Sequence, residues 1–149
     1  MKSSLDHSPA QIISQLLKDK GFVTDPSQNQ DWPIFVSTMP DGVGTPDKAV
    51  AIYDVTGIKE TSIQRTGETL VHHGINIRAR DIDYNSVWKK TKDLFDYLSG
   101  VKYIETVVGG ISYMVIAFTH SSGIGFLGEV ESRQRVSFVL NGTTTILRK

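Results

Sequence analysis

The fold is decided by the stretch from His73 to Gly100, HGINIRARDIDYNSVWKKTKDLFDYLSG. Apolar and polar side chains alternate through its first nine residues, so an extended chain places them on opposite faces. One face receives Ile75, Ile77 and Ala79, and the other receives Asn76, Arg78 and Arg80. This pattern predicts a strand from His73 to Asp81 with one dry face and one wet face.

The second half of the stretch changes to a helical period. Asp83 stands at the position of an N-cap and Gly100 at the position where a helix ends. Between them, apolar positions recur every three or four residues, at Tyr84, Val87, Trp88, Thr91, Leu94, Phe95 and Leu98. Burial of six large apolar side chains contributes roughly 10–15 kcal/mol before ordering entropy is subtracted. We therefore expect this helix to lie across a sheet.

Upstream of this stretch, the chain predicts one more helix and two strands. Ser8 is a plausible N-cap, Pro9 suits the first helical position, and Gly21 suits the end. An apolar stripe at helical spacing lies between them, formed by Ile12, Ile13, Leu16 and Leu17. Strands are predicted from Ile34 to Thr38 and, covered on both faces, from Lys48 to Val55.

Downstream, the chain reads as β-structure. Strands are predicted from Tyr103 to Val108, from Ile111 to His120 and from Arg135 to Asn141, with a tight turn at Gly109-Gly110. Residues 143–146 either extend the last strand or begin a separate flexible arm, 143–149. The predicted fold is a single α+β domain over residues 1–149, in which two helices pack against a mostly antiparallel sheet with long hairpin loops.

Composition excludes several classes of protein. The 149 residues carry 16 basic and 16 acidic side chains and no cysteine, so the strong basic excess of a nucleic-acid binder, disulfides and thiolate metal sites are all missing. The longest apolar run, Tyr113 to Phe118, is far short of the ~18 residues that a membrane span needs. MKSSLDHSPA at the amino terminus lacks the apolar stretch of a signal peptide, so we expect folding in a cytoplasm and no membrane partner.

Motifs for catalysis or cofactor binding fail on inspection. Gly123 to Gly128 matches GxGxxG, but a loop and a strand follow it where a dinucleotide site needs a helix. His72 and His73 are adjacent, so a strand points them to opposite faces. Asp81 and Asp83 suit a helix cap better than a magnesium site. No nucleophile elbow is present. We therefore predict no enzyme, no metal and no cofactor.

Two other features permit either a structural or a binding interpretation. The Arg78 and Arg80 face is either a solvated, self-neutralising surface or an anion-binding one. Two connections, 56–72 and 121–134, are long for a small domain. The first is either a mobile hairpin tip or a functional loop. The second contains Ile124, Phe126 and Leu127, which form either a satellite core cluster or a docking surface.

Three segments, in order, resemble a known family. They are TPDKAVAIYDVTG (45–57), HGINIRARDIDY (73–84) with its helix, and GFLGEVESRQRVSFVLN (125–141). Together they are similar to the minor capsid, or tail-terminator, proteins of long-tailed bacteriophages. The corresponding features here are Tyr53-Asp54, the strand from Gly74 to Arg80, Tyr84, Leu127-Gly128, Arg135 and Asn141. Residues 129–134 depart from the family pattern, which has a compact Asp-containing turn there.

The resemblance implies structural work in the neck of a virion, assembled in the bacterial cytoplasm. Such proteins form a homo-oligomeric ring, commonly a hexamer, that caps the tail tube protein and meets the head connector or head-completion protein. DNA passes through the lumen without specific binding. The residues predicted to contact a neighbouring subunit or partner are Ile124, Phe126, Leu127, Arg78, Arg80 and Arg135. The alternatives are another neck or head-completion protein, or a small anion-binding module that uses Arg78 and Arg80.

Overall fold

The computed structural model describes residues 4–59, 71–130 and 135–149. The helices are α1 (Pro9–Asp19), a short 3-10 turn (Pro26–Gln28) and α2 (Tyr84–Ser99). The strands are β1 (Ile34–Val36), β2 (Ala49–Lys59), β3 (Val71–Asp81), β4 (Lys102–Val108), β5 (Ile111–His120), β6 (Gly125–Val130) and β7 (Arg135–Arg148). The predicted α+β class is confirmed.

Within the described residues, the strands form one mixed sheet in the order β1-β2-β3-β7-β5-β4, with β6 also paired to β7. The prediction of a mostly antiparallel sheet holds in part, because β1 runs parallel to β2 whereas the other pairs are antiparallel. A bulge separates Val55 from Ile58 in β2, where the backbone of Gly57 lies too close to His72 for any side chain to fit.

One hydrophobic core lies between the sheet and the two helices. Ile75, Ile77 and Ala79 of β3 belong to the same buried cluster as the apolar stripes of α1 and α2, so both helices cover that face. The predicted dry face of β3 is confirmed. The prediction of a strand covered on both faces from Lys48 to Val55 holds for residues 49–52, which are fully buried, and is wrong for the end of that range, where Val55 is 49% exposed.

The helix ends follow the sequence signals in part. Ser8 and Gln11 form a reciprocal capping box at the start of α1, and the carboxylate of Asp54 on β2 accepts a further hydrogen bond from the Ala10 amide at 2.9 Å. Gly21 follows the end of α1 with a φ of +79°. Asp83 is the N-cap residue of α2, but its side chain makes no capping hydrogen bond.

The carboxyl-terminal residues form a long central strand, so the arm predicted as an alternative at 143–149 is wrong. In β7, residues 136–144 pair with β3, residues 142–148 pair with β5, and residues 135–139 pair with β6. Gly142 is needed where β7 crosses β5, because a Cβ there would lie 2.4 Å from the Phe118 ring.

The two long connections are shorter than predicted. β2 continues to Lys59 and β3 begins at Val71, so the rest of the 56–72 loop lies outside the described residues. The prediction of one loop over 121–134 is wrong, because β6 occupies residues 125–130; residues 131–134 lie outside the described part. Three glycines suggested a loop there, yet Gly128, with a φ of +86°, lies at a register shift within the strand.

Candidate docking surface

Three aromatic side chains from α2 and β6 gather around one buried ring at the surface, and an exposed leucine follows one of them in the chain. Tyr84 and Trp88 lie in the first turns of α2, and Phe126 and Leu127 lie on β6. They are respectively 51%, 43%, 54% and 43% exposed. We call these four residues the aromatic cluster. The prediction that α2 buries every apolar side chain of its stripe is wrong for Tyr84 and Trp88.

The aromatic cluster is built on a buried ring. Phe138 of β7 is 3% exposed, and its ring centroid lies 5.2 Å from those of Tyr84 and Phe126 and 5.6 Å from that of Trp88. Tyr84 and Phe126 also meet edge to face at 5.7 Å. Such contacts hold aromatic rings in defined orientations. The cluster is therefore an ordered apolar surface, half of which faces solvent.

The two interpretations of the 121–134 segment each apply to part of it. Ile124 is partly buried and packs against the core, as the satellite-cluster interpretation predicts. Phe126 and Leu127 are exposed, as the docking interpretation predicts. The register shift between Phe126 and Gly128 places these two consecutive residues at a β-bulge.

The edge of β6 beside the aromatic cluster is open. On its side away from β7, β6 has no partner strand anywhere in the described parts of the chain. An unpaired edge presents backbone N–H and C=O groups to any extended chain that approaches it. The aromatic cluster and this edge together combine apolar side chains with backbone hydrogen-bonding capacity.

Arg80 does not lie on a wet face. Its side chain is buried at 2% exposure, because residues 40–47 cross over this end of the sheet. The guanidinium donates to the backbone carbonyl oxygens of Pro40 and Pro46 and, at 3.3 Å, of Asp47. The prediction of an exposed Arg78/Arg80 pair is therefore wrong for Arg80, whose guanidinium N–H groups bind backbone carbonyl oxygens of residues 40–47.

Arg135 is also buried and binds the same segment. It is fully buried at the start of β7, and its Nε donates to a carboxylate oxygen of Asp47 at 3.0 Å. Its terminal nitrogens donate to the Thr45 hydroxyl at 3.1 Å and to the Thr45 carbonyl oxygen at 3.0 Å. The predicted role of Arg135 as an interface residue is therefore replaced by a structural one: with Arg80, it anchors residues 40–47 to the sheet.

Arg78 is the exposed arginine of the predicted pair. Its guanidinium lies over the Tyr53 ring, 5.2 Å from the centroid, and its Nε donates to Asn76 at 3.1 Å. The Asn76 amide donates in turn to Asn141 on β7 at 2.6 Å. This is a polar surface on the sheet face opposite the helices. A single guanidinium already engaged with an aromatic ring and an amide is a weaker anion site than the two predicted.

The histidines do not converge. His72 shares a hydrogen bond with the Thr145 hydroxyl at 2.7 Å, whereas the buried Nε2 of His73 has no hydrogen-bond partner among the residues that the structure describes. Burial lowers the pKa of His73, against the opposing influence of Asp54. The described residues contain no cluster of three or more potential metal ligands, and none of their helices is both long and apolar enough to cross a membrane.

Lys90 makes a further interaction that the sequence pattern does not predict. Lys90 of α2 places its ammonium 5.9 Å from the Phe22 ring centroid and 5.6 Å from that of Trp32. Its partial burial lowers the pKa of the amino group. These cation–π contacts fasten residues 22–32 to α2. Lys90 is indistinguishable in sequence from Lys89 and Lys92, so the pattern carried no signal for its role.

Comparison of the chain with protein-family models and with curated proteins gave no match.

Proposed function

We propose that this chain is a tail terminator of a long-tailed bacteriophage, a structural protein that caps the tail tube as a homo-oligomeric ring. The observation that carries the proposal is the aromatic cluster beside the open edge of β6. Phe126 and Leu127 of the cluster lie on the GFLG segment, which is also part of the family resemblance. An ordered apolar surface next to an unpaired strand favours association with another protein.

The earlier segments of the resemblance lie in two neighbouring strands and at the start of α2. Tyr53-Asp54 lies in β2, Gly74 to Arg80 lies in β3, and Tyr84 begins α2. Asp54 joins β2 to α1 through the Ala10 amide, and Arg80 joins β3 to residues 40–47. Several of the resembling residues therefore have structural roles, which is what a building block of a larger assembly requires.

The proposed partners are other copies of this chain, the tail tube protein on one side of the ring and the head connector or head-completion protein on the other. The ring is commonly a hexamer in the family that the sequence resembles. A formal charge of zero suits a lumen through which DNA passes without binding specifically. The proposal includes no enzymatic activity, and its site of action is the neck of the virion.

Polymerisation of the tail tube protein tests this function. We expect added wild-type chain to stop tube growth and to appear in negative-stain images as a ring at one tube end. Tubes that keep lengthening in the presence of saturating chain would refute the proposal. Labelling of the chain on tailless heads would instead identify a head-completion protein.

The anion-binding alternative loses its main argument. It required two neighbouring guanidinium groups on one exposed face, and Arg80 is enclosed by backbone carbonyl oxygens. An anion titration followed by chemical shifts at Arg78 checks what remains of it, and we expect no specific binding.

A further inference from the structure

We propose that the aromatic cluster and the edge of β6 bind the exposed face of β4 on a second copy of this chain, in a head-to-tail contact. This inference rests on the proposed function only in requiring that copies associate. It adds which two surfaces meet, and that they differ from one another.

The β6 edge has fewer of the features that protect an exposed strand than the other two edges have. β1 is three residues long and follows Pro33, and β4 carries Lys102 and Glu105. The residues of β6, GFLGEV, include no lysine, arginine or proline, and the strand carries one charge, Glu129, and a bulge at Leu127. Short length, proline, charge and bulges are the ordinary means by which edge strands avoid further pairing. The part of the edge before the bulge, beside Phe126, therefore remains open to a partner.

The size of the cluster fits part of an interface between copies. Four large side chains that are each about half exposed present on the order of 400 Å² of apolar surface. A stable interface buries about 800 Å² on each partner. The cluster supplies about half of that area, and the adjoining β6 edge supplies backbone groups next to it.

A complementary surface is present on β4. Tyr103 and Val107 are 70% and 50% exposed. Although Tyr103 has a φ of +51°, exposed positions 103, 105 and 107 alternate with the more buried positions 104, 106 and 108, so Tyr103 and Val107 share one side of the strand. Glu105, between them, accepts a hydrogen bond from the Lys149 ammonium at 2.7 Å. Because that carboxylate is paired, this face offers two apolar side chains without an uncompensated charge at its centre.

The two surfaces lie at different places in the fold. β4 ends the main order of the sheet beyond β5, whereas β6 pairs with the first part of β7. A contact between unlike surfaces leaves one free copy of each surface on every dimer, so association continues until the rotation closes a ring. A second copy is therefore the occupant that satisfies both apolar surfaces at once.

Complementation between two variants tests this contact. Phe126→Asp disables the cluster and Tyr103→Asp disables the β4 face, while Val43→Asp, at a position that is 93% exposed outside both surfaces, is the matched control. Sedimentation at high concentration should show wild type and Val43→Asp as closed oligomers. Each of the other two variants alone should sediment as a 16.5 kDa monomer. Their equimolar mixture should form a dimer and nothing larger.

Three other results of these sedimentation measurements overturn the inference. Phe126→Asp protein that still oligomerises shows that the cluster is not the contact, and a mixture that stays monomeric shows that β4 is not its partner. A wild-type chain that stays monomeric also contradicts the contact. Leu127→Asp replaces Phe126→Asp if circular dichroism shows that the latter does not fold. If the chain forms oligomers through this contact but does not stop tube growth, the proposed function alone is refuted. If Phe126→Asp or Tyr103→Asp protein still forms oligomers and still stops tube growth, the contact alone is refuted.

Discussion

Replacement of Arg135 by methionine should destabilise the domain by about 3 kcal/mol. The side chain is fully buried, donates hydrogen bonds to Asp47 and Thr45, and lies 3.9 Å from a carboxylate oxygen of Asp41. Removal of one partner of a buried charged pair costs roughly 3–5 kcal/mol, because the other partner is left unpaired. Asp47 is 43% exposed at its side chain and regains water, which places the loss near the lower end of that range.

Urea denaturation followed by tryptophan fluorescence measures this loss, at a concentration at which the chain does not associate. For a domain of this size, about 3 kcal/mol lowers the midpoint of thermal unfolding by roughly 6–12 °C. Arg148→Met is the matched control. Arg148 pairs with Asp6 at 2.8 Å, but it is 33% exposed, and an exposed pair contributes about 1 kcal/mol or less.

A loss below about 1 kcal/mol for Arg135→Met, or one equal to that of Arg148→Met, would refute the anchoring role. A double-mutant cycle with Asp47→Asn separates the pair from the rest of the site. We expect a coupling free energy between positions 135 and 47, since their side chains are in direct contact at 3.0 Å. Additive losses would show that the contact between Arg135 and Asp47 does not contribute to holding the segment.

Three further changes test other contacts. Burial lowers the pKa of His73 from its ordinary value of 6.5, so the unfolded chain binds a proton at this site more readily than the folded chain does. The free energy of unfolding should therefore fall as pH drops below about 6.5. His73→Gln should reduce this pH dependence in urea titrations between neutral and mildly acidic pH. Lys90→Ala should cost about 1–2 kcal/mol in unfolding free energy, against less than about 0.5 kcal/mol for the exposed neighbour Lys89→Ala; equal losses would contradict the cation–π contacts. Gly142→Ala should cost about 1–3 kcal/mol through its clash with the neighbouring strand, whereas Gly123→Ala, with no atom within 4 Å of the added Cβ, should be nearly neutral by thermal unfolding.

The elements with a clear period were predictable from sequence. β3 and α2 carry alternating and helical patterns that depend on one buried face, and their observed bounds differ from the predicted ones by only a few residues. β6 was missed because Gly125 and Gly128 are turn signals, and only pairing with β7, which is not visible in local sequence, makes the segment a strand.

The candidate site was predictable in part, for a similar reason. Phe126 and Leu127 were identified because apolar residues among glycines are unusual, and they are exposed. Tyr84 and Trp88 were expected in the core, since helical spacing shows which face is apolar but not where the sheet beneath it ends. Arg80 was expected in solvent. The carbonyl oxygens that surround it come from residues 33–40 positions earlier in the chain, so the local sequence gives no sign of them.

The place of β7 in the sheet has a consequence for biogenesis. In space it joins the β2–β3 hairpin to the β4–β5 hairpin, yet it follows every other strand in chain order. During translation the two hairpins are synthesised before the strand that joins them, so part of their apolar surface stays exposed until β7 follows. Nascent chains stalled before residue 135 should therefore bind chaperones and should not reach the native state, although they already contain both helices.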